Sequence, residues 1–105
     1  MDVAWSYWLW TTGNITASLT IALDWRQTYL LTGGLTHKQG GDYARVYLAT
    51  VCSYSGGDVV LCGVRDIPND AGLGLTEFLS GVSTITIKLR TTGGSHRAEG
   101  AVYRL

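Results

Sequence analysis

The chain of 105 residues carries eight Lys and Arg against eight Asp and Glu, a formal net charge of zero, and only 15% of its residues are charged against the ~25% usual for soluble domains. The basic residues Arg26, Lys38, Arg45, Arg65, Lys88, Arg90, Arg97 and Arg104 are scattered along the sequence, which argues against a nucleic-acid partner and an anionic-membrane surface. No apolar run approaches the ~20 residues of a membrane-spanning helix, so membrane insertion by a helix is not expected.

With 46% hydrophobic residues, residues 1–105 can fill the core of one domain. Residues 1–10 are apolar and aromatic but lack a basic n-region and a small-residue cleavage site, so they read as a first strand rather than a signal peptide. A strand beginning so early also fits a module cut from a longer chain or belonging to a larger assembly. In that strand Trp5, Tyr7 and Leu9 share one face while Trp8 and Trp10 share the other, making both faces candidates for burial.

Thr11-Thr12-Gly13-Asn14 reads as a turn. Beyond it Ile15, Ala17, Leu19, Ile21 and Leu23 alternate with Asn14, Thr16, Ser18 and Thr20, the pattern of a sheet with one buried and one wet face. Residues 5–10 and 15–23 are therefore expected to pair as an antiparallel hairpin. Asp24-Trp25-Arg26-Gln27 breaks the alternation, and residues 28–32 resume a short apolar strand. Residues 33–42, with four glycines and no apolar periodicity, read as a mobile surface loop able to carry binding residues.

Residues 43–52 and 59–64 flank a glycine turn and are apolar on both alternating sets. They are expected to form a β-hairpin lying centrally in a sheet, with the other strands packed around it. Pro68-Asn69-Asp70 is a turn signal. Residues 75–81 form the one helix-compatible segment, one or two turns ended by Gly81. In residues 83–90, Ile85, Ile87 and Leu89 point inward and Thr84, Thr86, Lys88 and Arg90 outward. Thr91-Thr92-Gly93-Gly94 echoes the earlier Thr-Thr-Gly turn, and residues 97–105 supply a last strand with Ala101, Tyr103 and Leu105 on one face. Seven strands separated by turns predict an all-β fold, an antiparallel β-sandwich, with a jelly roll or small barrel as alternatives.

Cys52 and Cys62 lie one on each arm of the 43–64 hairpin. If they face each other they can form a cross-strand disulfide; the competing reading is two reduced, buried thiols acting as small hydrophobes. Two thiols and two distant histidines, His37 and His96, lack zinc-ligand spacing, so no metal is expected. Four tryptophans are many for this length. A strand with Trp on both faces cannot bury them all, and Trp5, Trp8 and Trp10 become candidates for an interface or a sugar-stacking surface. Asp24, Trp25 and Arg26 form a corner that caps a turn or binds a ligand, with Asp42 as a further polar candidate. Asn14-Ile15-Thr16 matches a glycosylation sequon, which matters only in a secreted eukaryotic protein. No nucleophile, base and orienting residue recur in a recognisable pattern, and no cofactor is implied. An enzyme is not expected.

The Gly/Thr/Ser-rich, nearly uncharged strand pattern resembles the β-modules of phage tail fibres and virion decoration proteins. That resemblance implies a virion or other extracellular surface location. The leading expectation is a non-catalytic structural domain that forms a homo-oligomer, with a trimer as one candidate, or docks onto a larger assembly through its aromatic first strand. A glycan-binding module built on the tryptophans is the alternative, and a small hydrolase relying on His37 or His96 is the third.

Overall fold

The computed structural model describes residues 1–53, 59–68 and 70–105, with Ser53 and Val59 given by backbone alone. Among them are eight strands: β1 (Asp2–Thr12), β2 (Ala17–Ala22), β3 (Thr28–Gln39), β4 (Ala44–Ser53), β5 (Val59–Ile67), β6 (Gly74–Ser80), β7 (Val82–Thr91) and β8 (Ser95–Arg104). They form two four-stranded sheets in the orders β1-β8-β3-β6 and β2-β7-β4-β5, antiparallel throughout. Within the sheets β4 pairs with β5, β3 with β6, β2 with β7 and β1 with β8, as if one long antiparallel ribbon had been rolled up. This is the two-sheet jelly-roll arrangement.

The core follows from strand alternation. Leu31 and Leu35 of β3, Leu75 of β6 and Val102 of β8 meet Val46 of β4 and Ile85, Ile87 and Leu89 of β7, all essentially excluded from solvent. Burying each such side chain contributes ~1.5–3 kcal/mol, which is why one parity of every strand faces the other sheet.

Four expectations change. Residues 5–10 and 15–23 are not a hairpin: β1 pairs with β8 in one sheet and β2 with β7 in the other, so the short connection crosses between sheets. The 43–64 hairpin is not central, because β5 forms the sheet edge and its outward Val64 is exposed. Its glycine turn at 54–58 lies outside the described residues, as does Asn69. Residues 75–81 are not helix: 75–80 belong to strand β6, with Leu75, Glu77 and Leu79 facing inward and Phe78 out, and Gly81 is the bend before β7. Most of the supposed loop at 33–42 is strand as well, β3 running on to Gln39.

The end of the sandwich that holds the β1–β2, β3–β4 and β7–β8 turns is tied down. Gly13 N donates to Gly94 O (3.0 Å), and Asp42 N donates to Thr92 Oγ1 (3.1 Å), as does Tyr43 N (2.9 Å). Thr91 Oγ1 donates to Gly13 O at 2.6 Å. The two Thr-Thr-Gly turns are thus bonded to each other. Gly41, at φ 76°, crosses Gly93 so closely that a Cβ there would overlap the Gly93 carbonyl.

Candidate functional site

The aromatic strand β1 sits at a sheet edge. Its Tyr7, Leu9 and Thr11 are buried, whereas Trp8 and Trp10 project outward, 64% and 47% exposed. What fixes this choice is the row beneath Tyr7. Tyr7 lies opposite Gly100 of β8, which lies opposite Gly33 of β3, and the tyrosine hydroxyl reaches over both glycines to donate to Thr32 O at 2.9 Å. A Cβ at either glycine would overlap that hydroxyl. The inward face of β1 is thereby occupied by Tyr7, and the indoles at 8 and 10 must point the other way.

The outward face carries a cluster drawn from three strands. Trp8 stands opposite Glu99 and Trp10 opposite Arg97, and Arg97 in turn stands opposite His37 of β3. The Trp10 and His37 rings stack at 6.0 Å with an interplanar angle of 16°. Since β8 lies between their strands, the two rings meet above it. The Arg97 guanidinium sits 5.6 Å from the centre of the Trp8 ring and pairs with Glu99 at 3.1 Å. A cation over an indole face contributes ~0.5–1 kcal/mol at exposed sites, and the exposed ion pair adds less than ~1 kcal/mol. The pair neutralises itself. What remains is two exposed indoles on residues whose backbone positions are ~7 Å apart along the strand, able to stack on an aromatic group or the apolar face of a sugar.

The other sequence-nominated residues do not join this cluster. Trp5 belongs to the inward set of β1 but is half-exposed near the strand's start, just after the register shift between Val3 and Trp5. Asp24, Trp25 and Arg26 occupy the β2–β3 turn at that same end of the sandwich. Asp24 accepts the Arg26 backbone N–H (3.0 Å) and side-chain Nε–H (3.0 Å), while its carbonyl accepts Gln27 N–H (2.9 Å). The side-chain bond to Arg26, backed by the backbone one, holds the Asp24 carboxyl below its usual range. This carboxylate is committed to the turn. Asp42 lies at the opposite end of β3, a strand twelve residues long.

The histidines are also separated in role. His37 is part of the outward cluster, whereas His96 is fully buried with Nε2 donating to Gly93 O at 2.6 Å. Among the described residues no three His, Cys, Asp or Glu side chains cluster as a metal site.

Cys52 and Cys62 form a disulfide with their Cα atoms 5.6 Å apart. They are not directly opposite: Cys52 pairs with Val60, and the register shifts between Thr50 and Val51, leaving Cys62 as the extra residue. The bulge turns its sulfur toward Cys52. Beside the disulfide, a cleft of about 390 Å³ opens between β5 and β6, where Arg65 and Glu77 bridge the two sheets at 3.1 Å. On the outer face of the other sheet, three cations distant in sequence come together in a way that sequence reading missed. Arg45 pairs with Asp66 at 2.6 Å, Arg90 lies 5.7 Å from the Tyr47 ring centre, and Lys88 is opposite Tyr47.

No family model and no curated protein matches the chain. The solved structures similar in fold include two that span most of this chain. One, a family 16 carbohydrate binding module-2, is 13% identical, with a TM-score of 0.48 over 91% of this chain and 74% of its own. The other, from Bacillus endospore appendages described as a novel family of disulfide-linked pili, is 19% identical, with a TM-score of 0.44 over 95% of this chain and 85% of its own.

Proposed function

We propose that this domain is a non-catalytic interaction module that joins a larger assembly through β1. The observation that carries the reading is the state of that edge. β1 is eleven residues long and uncharged from Val3 to Thr12, and no other described strand covers its outer side. Exposed strand edges are ordinarily blunted by lysines, prolines, bulges or covering segments, because their free N–H and C=O groups template pairing with another chain. Here a bulge protects only the start of the strand. The exposed indoles of Trp8 and Trp10 widen the contact beyond the backbone, in keeping with the enrichment of Trp and Arg in interface cores.

Sedimentation at micromolar and at millimolar concentration tests this reading. The wild type is expected to show species heavier than the 11.3 kDa chain. A Trp8→Lys/Trp10→Lys variant, which places charges on an exposed edge, should lose them while keeping its fold. Wild-type protein that remained monomeric throughout would count against assembly.

A second reading is favoured by the cluster itself: a glycan platform in which Trp8 and Trp10 stack on sugar rings and Arg97, Glu99 and His37 supply hydrogen bonds. Its readout is quenching of tryptophan fluorescence across a panel of neutral oligosaccharides. Trp8→Ala should abolish that quenching, and silence across the whole panel would end the reading.

A further inference from the structure

The strand directions at the two flanks of the sandwich say what kind of partner fits β1. β1 and β2 form one flank; β5 and β6, joined across the sheets by Arg65 and Glu77, form the other. Because each sheet holds four strands and every neighbouring pair is antiparallel, the outer strands of each sheet run in opposite directions. A second copy displaced sideways therefore brings its β6 beside β1 and its β5 beside β2, both antiparallel. One translation, adjusted for sheet twist, continues both sheets at once.

The side chains agree with the strand directions. Val3, Trp5, Trp8, Trp10 and Ile15 are exposed along the first flank, and Val60, Leu61, Val64 and Phe78 along the second. Charge agrees too, since β1 and β2 carry only Asp2, and on the second flank Arg65 and Glu77 neutralise each other at 3.1 Å. A two-fold pairing of β1 with β1 would also be antiparallel, but it would leave the apolar β5/β6 flank bare. A single kind of contact covers both flanks only if it is heterologous, and a heterologous contact that does not close grows without limit.

We propose that the module assembles head to tail with further copies of itself, the β1/β2 flank of one adding to the β5/β6 flank of the next. This rests on the reading of β1 as an assembly edge and names its partner. The test uses two variants of exposed residues, Trp8→Lys/Trp10→Lys on one flank and Leu61→Lys/Phe78→Lys on the other, with circular dichroism confirming that each folds. Wild type should form a ladder of species lengthening with concentration. Each variant alone should be monomeric, and an equal mixture should give a dimer of one of each and nothing larger, because a single intact junction remains. If the Leu61→Lys/Phe78→Lys variant still dimerises alone and the mixture gives no mixed dimer, the head-to-tail arrangement is overturned while assembly through β1 stands. Wild-type protein that is monomeric even at millimolar concentration overturns both.

Discussion

Tyr7 fastens the edge strand to two others at once. Its hydroxyl bonds Thr32 O on β3 from a ring laid over Gly100 and Gly33, and burial raises its pKa from 10.0 to about 12. A phenol whose pKa is higher folded than unfolded contributes stability that is whole below pH 10 and lost as the pH climbs toward 12. The loss should approach roughly 2–3 kcal/mol, read from urea unfolding at successive pH values. Tyr7→Phe should remove much of that alkaline slope, leaving a pH-independent cost of ~1 kcal/mol for the missing hydrogen bond. Gly100→Ala should destabilise by at least ~2 kcal/mol because its Cβ has no space, whereas Gly74→Ala, with nothing near its Cβ, should stay within ~0.5 kcal/mol of wild type. Equal effects at the two glycines would refute this account of the Tyr7 row. Alternation in the sequence separates Trp8 and Trp10 from Tyr7 and Leu9, but it does not say which set is buried. That depends on Gly33 and Gly100, which are distant in sequence and meet Tyr7 only once β8 lies between β1 and β3.

At the level of elements, strands with one apolar and one polar face are legible. β2 and β7 fall close to where alternation puts them, since Leu19 and Ile85 have polar neighbours on either side. β6 was obscured because its outward Phe78, beside Leu79, breaks the two-residue period and mimics a helical face. β5 misleads for the opposite reason: apolar residues on both sets imply burial on both sides, yet its outward Leu61 and Val64 are exposed at the edge. An edge strand this apolar needs anchoring, and the Cys52–Cys62 disulfide ties it to β4. Closing a loop of this length stabilises by ~2–3 kcal/mol on the chain-entropy account. Replacing both cysteines with alanine should lower the denaturant midpoint accordingly, and the unfolded wild type should show free thiols only after reduction. Thiols that titrate without reductant would contradict the bond.

For the whole molecule, alternation and turn chemistry point to an all-β sandwich or small barrel, but strand order is set by pairings such as β1 with β8 that no local pattern encodes. That order decides which residues sit at the rims and which charges gather on a face. The molecule is elongated, 46 × 27 × 16 Å, and its charge is unevenly placed. Arg45, Lys88 and Arg90 share the outer face of the β2-β7-β4-β5 sheet with Asp66, while β1 and β2 are nearly uncharged. An interface through the flanks buries backbone hydrogen bonds and apolar side chains and displaces few counterions. One through the basic face would be screened within a Debye length of ~8–10 Å at ordinary salt. Assembly should therefore change little between low and high sodium chloride, and should tighten in sulfate, which strengthens apolar burial. Sedimentation across a salt series checks this directly. Dissociation at high sodium chloride would move the interface from β1 to the Arg45, Lys88 and Arg90 face, and Arg90→Ser would then replace Trp8→Lys as the substitution that releases monomers.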